Sequence, residues 1–217
     1  MGEMMARTKK TETAAKSVEA LAHEVKVPVN SVHADTRKQW RAWLEKHHSQ
    51  NEGVWLVLWK KASGRVELTY EEAVEEALCF GWIDSKPNKL DAQRSLLWFA
   101  PRKPGTGWSR LNKMRIERLI ATRQLAPAGN AKVESAKADG SWNALDAIEN
   151  LEVPADLGKA LSEFPLAVSH FEAFPRSVKR SILEWIANAK TPETRVKRIA
   201  ETSNLAAVNE RANQWRK

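Results

Sequence analysis

The sequence predicts an α+β fold, with a small antiparallel sheet and helices in the N-terminal half and a mainly helical C-terminal half. Three observations lead there. Residues 54–60, VWLVLWK, are apolar on both alternating faces, the pattern of a strand covered on two sides. Trp82–Lys86 and Ala92–Phe99 flank the turn dipeptide Pro87-Asn88 and read as a β-hairpin. From Ser109 onward apolar residues recur only at helical spacing. Strands first and helices afterwards point to α+β rather than to alternating α/β units.

Taken in order, residues 1–26 are rich in Lys, Thr, Glu and Ala without an aromatic, and read as a flexible basic and polar tail. Asp35 is placed to cap a helix in which Trp40, Trp43, Leu44 and His47 form one apolar stripe, with Gly53 after its end. The strand over 54–60 is followed by a turn at Ser63-Gly64. Thr69-Tyr70-Glu71-Glu72 is a capping box that opens a helix stopped by Gly81. Ala73, Val74, Ala77 and Leu78 face inward in that reading, and Glu71, Glu72, Glu75 and Glu76 face water or the basic segments. After the hairpin, helices are expected over 110–122, 127–138, 155–163, 166–171, 177–189 and 192–207. The domain reading is a tail over 1–26, an α+β domain over 27–142 and a helical C-terminal domain over 143–217 packed on it.

A chain of 217 residues, with 42% hydrophobic and 29% charged residues, has enough apolar surface to offset ordering entropy, which excludes collagen-like and wholly disordered classes. Its single cysteine, Cys79, forms no internal disulfide and reads as a small core residue, so the fold needs no oxidising compartment. The first residues lack the apolar stretch of a secretory signal, and nowhere do about 20 apolar residues run together. A cytoplasmic protein without a transmembrane segment is expected. His23, His33, His47, His48 and His170 show no ligand spacing with Cys79, so no metal site is expected and no cofactor is called for.

The net charge of +8 is concentrated. Arg102, Lys103, Arg110, Lys113, Arg115 and Arg118 are opposed only by Glu117. Arg176, Lys179, Arg180, Lys190, Arg195, Lys197 and Arg198 are opposed only by Glu184 and Glu193. Each cluster is a candidate anion contact. The first includes the loop Arg102-Lys103-Pro104-Gly105-Thr106-Gly107-Trp108-Ser109. Two cations precede two glycines there, and the loop feeds a helix N-terminus capped by Ser109, so free amides and the helix dipole would converge on an anion. GxxxxGK[ST] is absent, as is the third glycine of the dinucleotide fingerprint.

Trp82-Ile83-Asp84-Ser85-Lys86 is the second candidate. Strand alternation places Trp82, Asp84 and Lys86 on one face, where Asp84 would act as a general base or ligand acceptor with Lys86 or Arg102 as counter-charge. A structural ion pair beside a core tryptophan is the plainer reading. Third, Thr191 caps a helix with Pro192 at its first position and Arg195 and Arg198 along it, a helix pair that raises nucleic-acid binding. Seven of the ten tryptophans lie in the first half, most of them at inward positions, and Trp82 and Trp108, with polar neighbours, are the two placed to wall a cleft. No GxSxG or HExxH motif is present, and no motif fixes a reaction.

Four segments, Leu68–Ser85, Pro101–Asn112, Leu125–Trp142 and Trp185–Ile199, resemble the YdeI/OmpD-associated family, also called the bacteriocin-protection family, across about Asp35 to Leu205. The resemblance implies a bacterial protein with a helical C-terminal part, linked to protection against bacteriocins or antimicrobial peptides. Joined to the loop, it suggests a stress or protection protein that binds a small anionic ligand or an acidic partner. A small-ligand enzyme using Asp84 and a nucleic-acid binder using the C-terminal helix pair are the alternatives.

Overall fold

The structure is a computed structural model and describes residues 26–65 and 68–214. Apart from Lys26, the tail expected over 1–26 lies outside the described residues. These residues form two compact units. The first comprises residues up to Arg102 together with Thr122–Ala131, the second Lys103–Ala121 together with Lys132 onward. This partition differs from a single boundary at 142/143.

The first unit is built on a four-stranded sheet of order β1-β2-β4-β3, with β1 at Ser31–His33, β2 at Val54–Trp59, β3 at Trp82–Lys89 and β4 at Arg94–Pro101. β2–β4 and β4–β3 are antiparallel, and β1 joins β2 in parallel. The sheet is thus mostly antiparallel. Three-residue β1 has no pattern long enough to read in sequence. The hairpin is longer than expected, because Pro87 and Asn88 lie inside β3, paired with Leu97 and Leu96, and the chain reverses over residues 90–93. Proline is tolerated there because β3 is an edge strand.

Helices α1 (Arg37–His47) and α2 (Tyr70–Cys79) pack on the sheet face that carries Leu56, Leu97 and Phe99. Both begin at capping boxes, Thr36 with Gln39 and Thr69 with Glu72. The α1 cap is Thr36 rather than Asp35, whose carboxylate instead accepts the Trp59 indole N–H. Trp40 donates its indole N–H to Ala73 O at 3.0 Å and meets the Phe99 ring at 5.3 Å. Trp43 sits edge-on to Trp82.

The inward stripe of α2 is broader than its sequence indicates. Seven consecutive residues, Ala73 to Cys79, are buried, Glu75 and Glu76 among them. Residues 122–131 close over its C-terminal end: Ala126 N–H donates to Cys79 O, and a Cβ on Gly129 would stand 2.3 Å from that same oxygen. Glu75 and Glu76 therefore do not face water. Glu76 bridges Arg37 at 2.6 Å and Arg41 at 2.7 Å, and Glu75 meets Arg37 at 3.2 Å.

The second unit is helical: α3 (Arg110–Ala121), α5 (Asp146–Glu149), α6 (Ala155–Ser162), α7 (Ala167–Ala173), α8 (Arg176–Ala187) and α9 (Pro192–Ala207), with α4 (Pro127–Ala138) running from the first unit's residues into it. Only the single turn α5 has no counterpart in the sequence reading. Leu157, Leu161, Phe171, Ile182, Ile186 and Ile199 centre its core.

Two glycine substitutions test this packing in opposite directions. Gly129→Ala, meeting backbone, should cost about 2 kcal/mol of stability or more in urea unfolding. Gly158→Ala, inside α6 with only a Val153 methyl at 3.9 Å, should gain roughly 0.5–1 kcal/mol. Equal effects at the two positions would contradict the close approach at Gly129.

Candidate functional site

A cavity of about 420 Å³ opens in the first unit between β2–β4–β3 and the N-terminus of α2. Leu58, Trp59, Leu68, Pro87, Leu96 and Leu97 make its apolar wall, and Thr69, Tyr70, Asp84, Ser85 and Ser95 supply polar atoms, with Lys61 as the other charged lining residue among the described residues. That size and mixture are those of a small-molecule site. Local sequence explains the arrangement. Thr69 caps α2 and so fixes Tyr70 at the first helical position, and the Tyr70 hydroxyl donates to Asp84 Oδ2 at 2.9 Å across the cavity lining. The capping hydrogen bonds from Thr69 also hold the Glu72 carboxyl below the usual range, which fixes the same turn from the other side.

Asp84 is half-buried, and its side chain's one hydrogen bond among the described residues is that from Tyr70. Neither expected counter-charge serves it. Asp84 pairs with Phe99 and Pro87 with Leu97, so two residues, Ser85 and Lys86, face one residue of β4 in a bulge. The extra residue ends the alternation. Lys86 consequently lies over Trp55 and Trp98, at 5.5 and 5.8 Å from their rings, and those two rings form a pair on the opposite face from Phe99. Arg102 is buried, its guanidinium pushed down to about 10 by desolvation, and its backbone N–H closes on Gly81 O. Trp82 walls no cleft: it is fully buried and gives its indole N–H to His48 O at 3.0 Å.

The glycine loop is organised differently from the anion cradle expected of it. Thr106 N–H reaches Lys103 O at 3.4 Å around Pro104 and a Gly105 at φ +72, a type II turn. Gly105 N–H donates to Asp139 Oδ2 at 3.2 Å, so the protein's own carboxylate occupies that amide. A Cβ on Gly107 would meet Leu145 at 2.8 Å, and Trp108 is buried against Trp142 at 5.0 Å. Lys103 is exposed. Ser109 does cap α3, accepting from Asn112 N–H at 3.4 Å.

Two of the C-terminal cations, Arg195 and Arg198, are also engaged internally, whereas Lys190 and Lys197 are exposed. Thr191 caps α9 as expected. Arg195 makes a two-point contact with Asp156 at 2.7 and 3.0 Å, and the resulting hydrogen bond holds the Asp156 carboxyl below its usual range. Arg198 donates to Trp185 O and stacks on the Trp185 ring at 5.0 Å. A second cavity, about 590 Å³, lies between α6 and α9 and is lined by Lys159, Phe164, Val196 and Ile199 beside that ion pair. Burial first and then the charge of Glu76 push the Cys79 thiol up to about 11, which leaves it protonated and unreactive. Among the described residues no group of three or more His, Cys, Asp or Glu is placed to hold a metal, and no helix is long and apolar enough to cross a membrane.

The bundle of α6 to α9 coincides with a known family. Residues 150–209 match the model described as Bacteriocin-protection, YdeI or OmpD-Associated. The match covers the C-terminal part of the chain. The YdeI/OmpD-associated match is narrower than the resemblance across Asp35 to Leu205: Trp185–Ile199 falls inside it, whereas Leu68–Ser85 and Pro101–Asn112 fall within residues 32–132, which match a domain of unknown function, DUF8412. No curated protein and no solved structure matches the chain.

The occupied loop amide predicts a titration. Asp139 is held below the usual range by its hydrogen bonds to Ser141, with Gly105 N–H adding to them. Its folded-state pKa is depressed, so the contact is complete above the unfolded value and is lost as pH falls through the folded one. The Gly105 amide resonance should move with a midpoint below the ordinary Asp range, and Asp139→Ala should abolish the step. A Gly105 resonance indifferent to pH would show the amide directed elsewhere.

Proposed function

We propose that this chain is a protection-type protein that acts by holding a small molecule in the cavity of its first unit. The family description of residues 150–209 supports the protective role. The observation that carries the binding role is the 420 Å³ apolar cavity with Asp84 and Tyr70 joined in its lining. Apolar walls supply affinity in proportion to the ligand area removed from water, and the few polar atoms set orientation.

This reading moves the ligand site from the Arg102–Ser109 loop to Asp84. An external anion at Gly105 would have to displace Asp139, and Arg102 is withdrawn from solvent. Acid–base catalysis by Asp84 with Lys86 loses support from the bulge that separates the two across the sheet. Nucleic-acid binding loses support because Arg195 is neutralised by Asp156 and Arg198 lies along Trp185.

Methyl-resolved NMR tests the site. Titration with a set of small neutral and charged aromatic fragments should shift the methyl resonances of Leu58, Leu68, Leu96 and Leu97 before those of Leu157 or Leu161 in the second unit's core. If no fragment moves the cavity methyls, the cavity is not a ligand site.

A further inference from the structure

Accepting the cavity as the binding site, we infer that its ligand class is the amines: a molecule with a compact apolar or aromatic body and a protonated nitrogen that pairs with Asp84. The charge inventory of the cavity points there. Asp84 is a half-buried carboxylate with no ion pair among the described residues, and its one hydrogen bond, from the Tyr70 hydroxyl, falls on Oδ2. Oδ1 therefore keeps its acceptor capacity, and a carboxylate accepts several donors at once. A ligand seated on the apolar walls withdraws this carboxylate from water, a cost that a cation carried by the ligand offsets, and the charge-assisted bond formed is about twice as strong as a neutral one.

The sequence signals considered for this residue supply no competing cation. The β3 bulge carries Lys86 to the Trp55–Trp98 face, and Arg102 is not among the partners of Asp84. Lys61 lines the cavity but is solvent-exposed, so water and salt screen it more than they screen half-buried Asp84. Trp59 adds an aromatic wall, and because the Arg65 and Arg94 guanidiniums already lie over its ring at 4.3 and 5.7 Å, it offers the ligand apolar contact and leaves the ligand's charge to Asp84. Tyr70 acts as a positioning residue: its bond to Oδ2 fixes the carboxylate plane and directs Oδ1 to the ligand.

A matched pair of probes separates this claim from the cavity reading beneath it. 3-Phenylpropylamine and 3-phenylpropan-1-ol have nearly the same size and shape and differ in charge at one end. Calorimetric titration of the full chain at neutral pH should show the amine binding at least about tenfold more tightly, with affinity falling as salt is raised, while the alcohol stays insensitive to salt. In Asp84→Asn, a substitution of the same shape, the preference should vanish through loss of amine affinity alone. Equal binding of the two probes to the unaltered chain overturns the amine assignment and leaves the cavity reading standing. An amine preference that survives Asp84→Asn overturns the role of Asp84. Binding of neither probe, with unshifted cavity methyls, removes both.

Discussion

Glu76, 3% exposed and held between Arg37 and Arg41, is the contact on which the first unit turns. Taking a carboxylate out of water costs several kcal/mol, and that cost is met only if charge and hydrogen bonds close around it. Two guanidiniums do so here, and Glu75 balances the second positive charge. Burial alone would lower the Arg37 and Arg41 guanidiniums, yet the hydrogen bond and charge of Glu76 outweigh it and raise both. The network fastens α1 to α2 at one register. Fixing α2 fixes Thr69 and Tyr70 at its N-terminus, and those residues are one side of the cavity. The helix position and the site thus share a cause.

Much of the fold was readable because it rests on local rules. The Thr69 capping box, the apolar alternation of 54–60, the Thr191-Pro192 start of α9 and the stripe of Val178, Ile182 and Ile186 each act within a few residues. The failures share the opposite property. Glu75 and Glu76 look solvent-facing by helical period, since nothing within α2 reveals that arginines 35 to 39 positions earlier will lie against them. Pro87-Asn88 is a turn signal, but register with Leu97 and Leu96 keeps both residues in the strand. β1 exists because β2 offers it an edge, which no three-residue sequence announces.

The candidate site divides along the same line. Asp84 stands out in the sequence as an acid sharing a strand face with Trp82 and Lys86, and it does line the cavity. Its partner Tyr70 was visible only as part of a cap, and pairing them required the fold to bring residues 14 apart together. Lys86 was assigned to the wrong face because alternation assumes no bulge. The glycine loop shows how one chemical signal serves two ends: free amides attract an anion, and Asp139 of the same unit supplies it.

The buried ion-pair network is tested most directly by urea unfolding of Glu76→Gln, which keeps the shape and removes the charge. With Arg37 left to Glu75 alone and Arg41 to the exposed Glu45, the account predicts a loss of about 3 kcal/mol in unfolding free energy. A loss below about 1 kcal/mol, the scale of an exposed pair, would contradict it and with it the claim that this network sets α2 and the cavity wall.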